Sequence, residues 1–221
     1  MVTFQRARSE EQRAERRRTI LATAAAMLTE LPVAQLSLNE LSRRVGLAKS
    51  NVLNYFESRE AVLLELADAE TKAWVQDLAD ALAEVDPEAA AAERGDLLAA
   101  AVVRTLAARP VFCELVSTQA AVLEHNISTE VALDFKRAAT ANYLRMTELV
   151  LDVLPEVGET GAGRFVAAAS MLAGAIWTHS RPAPAILAAY EADPTLTALR
   201  MDFEPALRDA VDTLLNGVLP R

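Results

Sequence analysis

Five polar side chains share the outer face of one short predicted helix. The chain is helical again from Ala48, after the turn at Gly46, and Val52 and Phe56 lie four residues apart on the buried side. The opposite side carries Lys49, Ser50, Asn51, Asn54 and Tyr55. Short amides pair with adenine edges in the major groove, and lysine pairs with guanine or phosphate. This face is suited to reading duplex DNA, and the solvated face of an ordinary helical hairpin is the alternative.

A second short helix, just before it in the chain, must position this face. Ser37 and Glu40 predict a capping box, in which the serine oxygen accepts from an orphan amide and the glutamate reaches back to the serine amide. Gly46 then stands where the end of a helix needs a residue that tolerates positive φ. The sequence therefore predicts a helix-turn-helix between Ser37 and Arg59.

Charge is segregated along the chain. Residues 1–59 hold ten Arg or Lys against six Asp or Glu, a net charge of +4, whereas residues 60–221 hold twelve against twenty-five, a net charge of −13. A basic patch confined to one end is the expected footprint of a polyanion ligand in a chain that is otherwise acidic. The basic residues of the first part are Arg6, Arg8, Arg13, Arg16, Arg17, Arg18, Arg43, Arg44, Lys49 and Arg59.

Residues from about 12 to 62 resemble the amino-terminal domain of the tetracycline-repressor (TetR) family of transcriptional regulators. The resemblance lies in a long first helix, a serine that starts the second, a glycine turn, and an exit of the Tyr-Phe-x-Ser-Lys type, here Tyr55 to Arg59. It implies phosphate contacts from Ser37, Tyr55 and Arg59. It also implies groove-facing roles for Asn39, Lys49, Ser50, Asn51 and Asn54. Leu53 departs from the tyrosine common in the family, and it offers only an apolar contact, such as one to a thymine methyl.

The rest of the chain also reads as helical. Its 221 residues, 52% of them hydrophobic, include alanine-rich segments at helical spacing and no sustained alternating run of β-branched residues. We predict an all-α fold, with a three-helix helix-turn-helix DNA-binding domain at 1–60 joined to a larger helical effector-binding and dimerisation domain at 61–221. Helix breaks are predicted near Gly95, at Arg109-Pro110, at His125 to Thr129, and at Leu154 to Gly163.

Two apolar stripes near the carboxy terminus predict a dimer interface. The first contains Phe165, Leu172, Ile176 and His179, and the second contains Leu207, Val211, Leu214 and Val218. The alternative is that both stripes pack into the core of their own subunit. The resemblance favours the interface, because members of the family dimerise through their last two long helices. Two heads about 34 to 36 Å apart would meet successive major grooves of a pseudo-palindrome.

The resemblance also places an effector pocket between the DNA-binding head and the dimer helices. An apolar cavity with a few orienting polar groups would draw on Phe112, Gln119, His125, Phe135, Asn142, Tyr143, Met146 and Trp177. The alternative is that these large residues are core. Cys113 is expected to be a small buried apolar residue, because the chain has no second cysteine.

Several classes of protein are disfavoured. The chain has two histidines far apart and no HExxH, CxxC, glycine-rich phosphate loop or GxSxG motif, so we expect no enzyme, metal or cofactor. No apolar stretch approaches the ~20 residues of a membrane span, and the arginine-rich start is unlike a secretory signal. A single cysteine excludes an intramolecular disulfide, and we expect a reducing cytoplasm.

The sequence thus predicts a homodimeric, ligand-responsive transcriptional regulator, most often a repressor in this family. It would bind a pseudo-palindromic DNA operator and be released by a partly apolar small molecule. The leading alternative is a DNA-binding dimer without small-molecule input, controlled by its concentration or by a protein partner. A third hypothesis is a dimeric helical scaffold that never binds DNA.

Overall fold

A computed structural model describes the backbone of residues 2–219 and the side chains of residues 10–219. All regular structure in this range is helical, which confirms the all-α prediction. The ten α-helices are α1 Val2–Glu30, α2 Leu38–Val45, α3 Lys49–Leu53, α4 Arg59–Leu82, α5 Ala91–Ala107, α6 Pro110–Thr118, α7 Thr129–Val153, α8 Gly158–His179, α9 Pro184–Ala192 and α10 Phe203–Val218. Among the described residues, no helix combines the length and the apolar character needed to cross a membrane.

The chain forms two compact units by its internal contacts. The first unit contains residues up to Glu70 together with Thr118–Arg137, and the second contains Thr71–Ser117 with Ala138–Arg221. Helices α4 and α7 therefore each contribute residues to both units. The domain ranges 1–60 and 61–221 stay a prediction.

The first unit is built on α1, α2 and α3. Its fully buried side chains come from each of these helices and from the start of α4, and they include Ile20, Met27, Leu41, Val52 and Leu63. This core fixes α2 against α1 and α3 against α2. The 3.6-residue periodicity of the sequence is enough to predict which face of each helix it takes.

The segment 118–137 also belongs to the first unit. A single π-helical turn, Gln119–Leu123, follows α6, and the predicted break at His125 to Thr129 is present before α7. Ser128 caps α7, because its Oγ accepts from the Val131 amide at 3.2 Å. The Ser128 amide donates to Glu57 Oε1 at 2.6 Å. The start of α7 is thereby tied to the turn between α3 and α4.

The second unit encloses a larger apolar core. Helix α10 packs on α8 and α5, and its Leu207, Val211 and Leu215 are buried. Trp74 Nε1 donates to Thr105 Oγ1 at 2.9 Å inside this core. Gly174 allows a close approach of α8 to α6, since a Cβ there would lie 3.3 Å from the Ser117 Cα. The core therefore depends on small residues as well as large ones.

The predicted helix break near Gly95 is wrong. Gly95 lies inside α5, it is buried, and a Cβ there would meet Leu154 Cδ1 at 3.8 Å, an ordinary contact. Packing in the second unit overrides the low helix propensity of glycine at this position. The breaks at Arg109-Pro110 and after Leu154 are confirmed, although α8 already begins at Gly158.

We expect Gly95→Ala to stabilise the protein by roughly 0.5–1 kcal/mol, because alanine restricts the unfolded chain and fits the helix. The matched control is Gly46→Ala, at a position whose φ of +72° strains any residue with a Cβ. This control should destabilise the protein by about 1 kcal/mol. Urea unfolding at one fixed protein concentration measures both changes. A lower midpoint for Gly95→Ala would contradict the packing described for α5.

Candidate nucleic-acid interface

Local capping fixes helix α2. The Ser37 Oγ accepts from the Glu40 amide at 3.2 Å, as predicted for the first half of the capping box. At the other end, the Gly46 amide donates to the Arg43 carbonyl at 3.2 Å, and the Leu47 amide donates to the Ser42 carbonyl at 3.0 Å. Gly46 adopts the left-handed conformation that the predicted turn requires. The turn therefore sets where α3 begins.

The short helix α3 presents the predicted polar face. Val52 and Phe56 are buried in the first unit, at 0% and 3% exposure. The side chains that point away from this core are exposed, and they are Lys49, Ser50, Asn51 and Asn54. Leu53, on the same side, is 42% exposed. Asn39 and Ser37 on α2 are exposed as well, so the exposed groups of α2 and α3 include amides, hydroxyls and an ammonium.

A groove beside α3 was not predicted from the sequence. It has a volume of about 730 Å³ and is lined by Gln12, Arg13, Glu15, Arg16, Thr19, Asn54 and Tyr55. Arg13 Nη2 donates to the Asn54 carbonyl at 3.2 Å, and its guanidinium carbon lies 5.8 Å from the centroid of the Tyr55 ring. A three-residue spacing in the sequence separates Arg13, Arg16 and Thr19. This spacing is the signal from which their position on one face of α1 could have been predicted.

Arg17 has an internal role in the first unit. Its guanidinium donates to the Tyr55 carbonyl, pairs with the Glu65 carboxylate and lies 4.3 Å from the centroid of the Phe56 ring. These contacts join α1 to the end of α3 and to α4. Arg17 therefore belongs to the frame that holds the polar face, although the sequence counts it with the basic patch.

Arg59, predicted to contact phosphate, makes hydrogen bonds within the first unit. Its Nε donates to Glu60 Oε1 at 2.9 Å, and its Nη1 donates to the Leu36 carbonyl at 3.3 Å. The side chain is only 24% exposed, and Glu60 is buried. These bonds direct the guanidinium into the first unit. Arg59 therefore holds the start of α4 against Leu36, the residue before the Ser37 cap.

Glu40 partly neutralises two further arginines of the basic patch. Its carboxylate, predicted to reach back to the Ser37 amide, accepts from Arg43 at 2.8 and 2.6 Å and from Arg44 at 2.9 Å. Hydrogen bonds from Arg43 and then Arg44 lower the pKa of Glu40 to about 2. Arg44 also pairs with Glu30 at 2.7 Å. The side chains of Arg6 and Arg8 lie outside the described residues.

The eight predicted pocket residues are divided between the two units. Gln119, His125 and Phe135 belong to the first unit, where Gln119 donates to Glu124 at 3.0 Å, His125 is exposed and Phe135 is buried. Phe112, Asn142, Tyr143, Met146 and Trp177 belong to the second unit.

In the second unit, the predicted aromatic residues are largely engaged in packing. Phe112 stacks on Trp74 with centroids 5.5 Å apart, and Trp177 meets the edge of Phe203 at 5.0 Å. Both are buried, which matches the alternative that they are core. Asn142 is buried, Met146 is half-buried and Tyr143 is 36% exposed.

The cavity found within the second unit was not predicted. It has a volume of about 250 Å³ and is lined by Ala79, Leu82, Ala83, Val85, Pro87, Arg94, Arg145, Leu149, Asp152 and Val153. The buried guanidinium of Arg94 donates to the Ala89 carbonyl at 2.9 Å and pairs with Glu156. These residues come from α4, α5, α7 and the turn that joins α4 to α5, and no spacing in the sequence brings them together.

The predicted dimer stripes need correction. Phe165, Ile176, Leu207 and Val211 are at most 7% exposed, because they pack into the core of their own subunit. Leu172 and His179 are exposed, and Leu214 and Val218 are half-buried. The exposed face of α8 lies beside the predicted stripe and contains Arg164, Ala167, Met171, Ala175 and Thr178.

Cys113 is buried as expected. Its side chain is 3% exposed, and burial raises the pKa of the thiol to about 12. A thiol with this pKa holds little thiolate at neutral pH, so it reacts slowly with thiol reagents.

Comparison with known proteins agrees with this arrangement. The family model described as bacterial regulatory proteins, tetR family, matches residues 20–66, and the one described as tetracyclin repressor-like, C-terminal domain, matches residues 68–221. The HTH-type transcriptional regulator EthR of Mycobacterium tuberculosis is 36% identical over 77 residues, which are 34% of this chain and 36% of that protein. EthR of Mycobacterium bovis matches to the same extent. The chain thus aligns with about a third of the length of these relatives.

Two solved structures share the fold over most of the chain. A TetR transcriptional regulator from Rhodococcus sp. RHA1 has a TM-score of 0.52 at 18% identity, with 91% of this chain and 96% of that chain covered. The fatty acid degradation regulator FadR from Bacillus halodurans has a TM-score of 0.54 at 15% identity, with 90% and 97% covered. Since one model matches more than half of the chain and the other matches the segment that holds α2 and α3, the chain belongs to the TetR family of transcriptional regulators.

Proposed function

We propose that the protein is a homodimeric repressor that binds a pseudo-palindromic operator and is released by a small-molecule effector. The observation that carries this proposal is the exposed polar face of α3. Its Lys49, Asn51 and Asn54 point away from the core, and the Ser37 cap and the Gly46 turn fix the helix that carries them. A short, rigid helix with such side chains can enter the major groove.

Within this proposal, the exposed residues and the half-buried Tyr55 divide into two roles. Asn39, Ser50, Asn51 and Asn54 contact base edges. Lys49, Ser37 and Tyr55 contact phosphate or guanine. Arg13 and Arg16 add phosphate contacts from the groove beside Tyr55, and we propose them in place of the contact predicted for Arg59. Phosphate contacts set affinity and register, whereas base contacts set sequence preference.

We expect Asn51→Ala to relax base preference at one position of each half-site by roughly 1–3 kcal/mol, because alanine cannot pair with a base edge. Tyr55→Phe should weaken binding to every sequence by about 1 kcal/mol, since only the hydroxyl that would reach a phosphate is lost. Fluorescence anisotropy against a set of single-base operator variants separates the two patterns. If both variants bound every sequence like the wild type, α3 would not be the reading helix.

The function is tested first by titration with a labelled fragment from upstream of the protein's own gene. Anisotropy is followed at two salt concentrations, beside a shuffled fragment of the same composition. We expect tight binding to the upstream fragment that weakens steeply as salt rises, because phosphate contacts release counterions. Binding that did not change with salt would contradict a phosphate-contacting head.

Dimerisation is proposed through the exposed face of α8 together with the half-buried Leu214 and Val218 of α10. The face is made of small residues around Met171, and such residues allow two helices to approach closely. A dimer would place two α3 helices on one face of the DNA duplex. Because the dimer has twofold symmetry, the operator it binds is expected to be pseudo-palindromic.

The proposed switch acts on the turn between α3 and α4. Glu57 lies in this turn and accepts from the Ser128 amide, so a shift at the start of α7 would reach the end of α3 directly. Helix α4, from Arg59 to Leu82, would tilt with it and change the distance between the two heads. A ligand drives this change only if it binds one of the two states more tightly.

The size of the cavity in the second unit bears on the effector. Its volume of about 250 Å³ is below the range of roughly 300–1,000 Å³ typical of sites for drug-sized ligands. We therefore expect an effector that binds in this cavity to be smaller than a drug-sized ligand, or to bind a state in which the cavity is wider.

The engagement of Phe112 and Trp177 in packing favours a second candidate. In it, the same DNA-binding dimer has no small-molecule input and responds to its own concentration or to a protein partner. A screen of small apolar acids and amines against the protein–operator complex decides between the two candidates. Release of the operator by any of these compounds supports an effector site.

A further inference from the structure

The segment between α8 and α10 has no core of its own. We define the α8–α10 arm as residues 183–199, which form α9 and the following 3-10 helix, Pro194–Leu199. Every residue of the arm is exposed except the half-buried Tyr190. Its large apolar side chains are exposed by 36 to 73%, and they are Ile186, Leu187, Leu196 and Leu199.

Local contacts shape the arm without burying it. Pro184 stands in the first turn of α9, Asp193 Oδ1 accepts from the Thr195 amide at 2.9 Å, and α9 packs on the 3-10 helix. A helix of nine residues is marginal in water, because helices of this length depend on packing of an apolar face. An ordered, apolar and exposed arm is therefore expected to be covered by another surface.

We propose that this surface belongs to a second copy of the chain, so that the arm of each subunit packs on its partner in the dimer. The inference rests on the homodimer proposed above. The exposed face of α8, from Arg164 through Met171 to Thr178, ends three residues before Arg181, where the chain leads into the arm. The arm thus follows this face closely along the chain, and in a dimer that pairs two α8 helices we expect each arm to reach the other subunit.

Charge agrees with a second copy as the occupant. The arm carries Glu191 and Asp193, with Arg181 and Arg200 beyond its two ends, whereas the one charged residue on the exposed face of α8 is Arg164. The two carboxylates within the arm are therefore suited to pair with Arg164 of a second copy. A membrane surface is disfavoured, because anionic lipid repels carboxylates that lie within the apolar segment.

Hydrogen exchange of the full-length protein tests the arm. We expect the amides of 186–192 to exchange about tenfold or more slowly in the dimer than in a monomeric variant, because covering the arm stabilises α9. The monomeric variant is Met171→Glu, which places a charge on a side chain that is already 70% exposed. A wild-type dimer with a rapidly exchanging arm would overturn the arm contact and leave the dimer standing. A wild-type monomer would overturn both.

Cross-linking gives a second measurement that does not depend on stability. A benzophenone maleimide attached to Leu199→Cys should yield a covalent dimer on illumination, since Leu199 is 73% exposed in the isolated subunit. The buried Cys113 should stay unlabelled because of its raised thiol pKa. The matched control is Leu144→Cys on α7, at a leucine that is 54% exposed. Equal cross-linking from both positions, or none from Leu199→Cys in a confirmed dimer, would overturn the proposal.

Discussion

Replacing Arg17 with alanine is expected to lower the free energy of unfolding of the first unit by about 2 kcal/mol, through a lost hydrogen bond and a lost cation–π contact. The bond runs to the Tyr55 carbonyl, and the ring is that of Phe56. The ion pair with Glu65 adds little, because the two side chains are 32% and 36% exposed and water screens them. The neighbouring Arg16 lines the exposed groove, so Arg16→Ala should leave unfolding nearly unchanged and weaken DNA binding.

Far-ultraviolet circular dichroism in urea and hydrogen exchange of α2 and α3 are the suitable measurements for this pair of variants. Tryptophan fluorescence is not, since Trp74 and Trp177 both belong to the second unit. Arg17→Lys should recover only part of the loss, because an ammonium lacks the planar fork that meets a carbonyl and a carboxylate together. If Arg17→Ala had the unfolding free energy of the wild type while that of Arg16→Ala was lower, Arg16 and not Arg17 would be the residue that stabilises the first unit, and the assignment would be wrong.

The parts of the fold predicted well from the sequence are those set by neighbours along the chain. The Ser37 cap, the Gly46 turn and the burial of Val52 and Phe56 depend on residues at most five positions apart. Capping, left-handed glycine and helical periodicity all act over that range. The polar face of α3 could therefore be predicted from the sequence alone.

The arginines show where local reasoning fails. Arg16 and Arg17 are the same residue type in adjacent positions, yet one lines a groove and the other lies against Phe56. Apart from Glu60, which pairs with the adjacent Arg59, the partners of Arg17 and Arg59 lie 23 to 48 residues away in the chain, and no periodicity identifies them. A count of basic residues thus overstates the charge that the first unit can offer to DNA.

Hydrophobic periodicity has a related limit in the second unit. It predicts that one face of α8 is buried, but it does not indicate whether the covering surface belongs to the same subunit. Phe165 and Ile176 are covered by their own core, which leaves the adjacent face around Met171 exposed. Helix propensity has the same limit at Gly95: it predicts a helix break there, but packing keeps the residue inside α5.

Met171→Glu is expected to give a monomer and to weaken operator binding by about 10²–10⁴-fold, because the second head no longer benefits from the first. Met171 is 70% exposed, so the substitution places no charge in the core of the subunit. In the proposed dimer, each copy would bring a carboxylate into the interface, and an unpaired buried charge costs several kcal/mol. Sedimentation measures the mass, and anisotropy with full and half operators measures the affinity.

The half operator decides how the result is interpreted. A monomer that still contacts DNA through α3 should bind full and half operators with similar, salt-sensitive affinity, because the phosphate contacts of one head remain. Met171→Leu keeps the apolar surface and should behave like the wild type. Leu144→Glu places the same charge at a different exposed position of the second unit, and this variant should remain dimeric. If Met171→Glu stayed dimeric and bound the full operator tightly, the exposed face of α8 would not be the interface, and the spacing of the two heads would have to come from another surface.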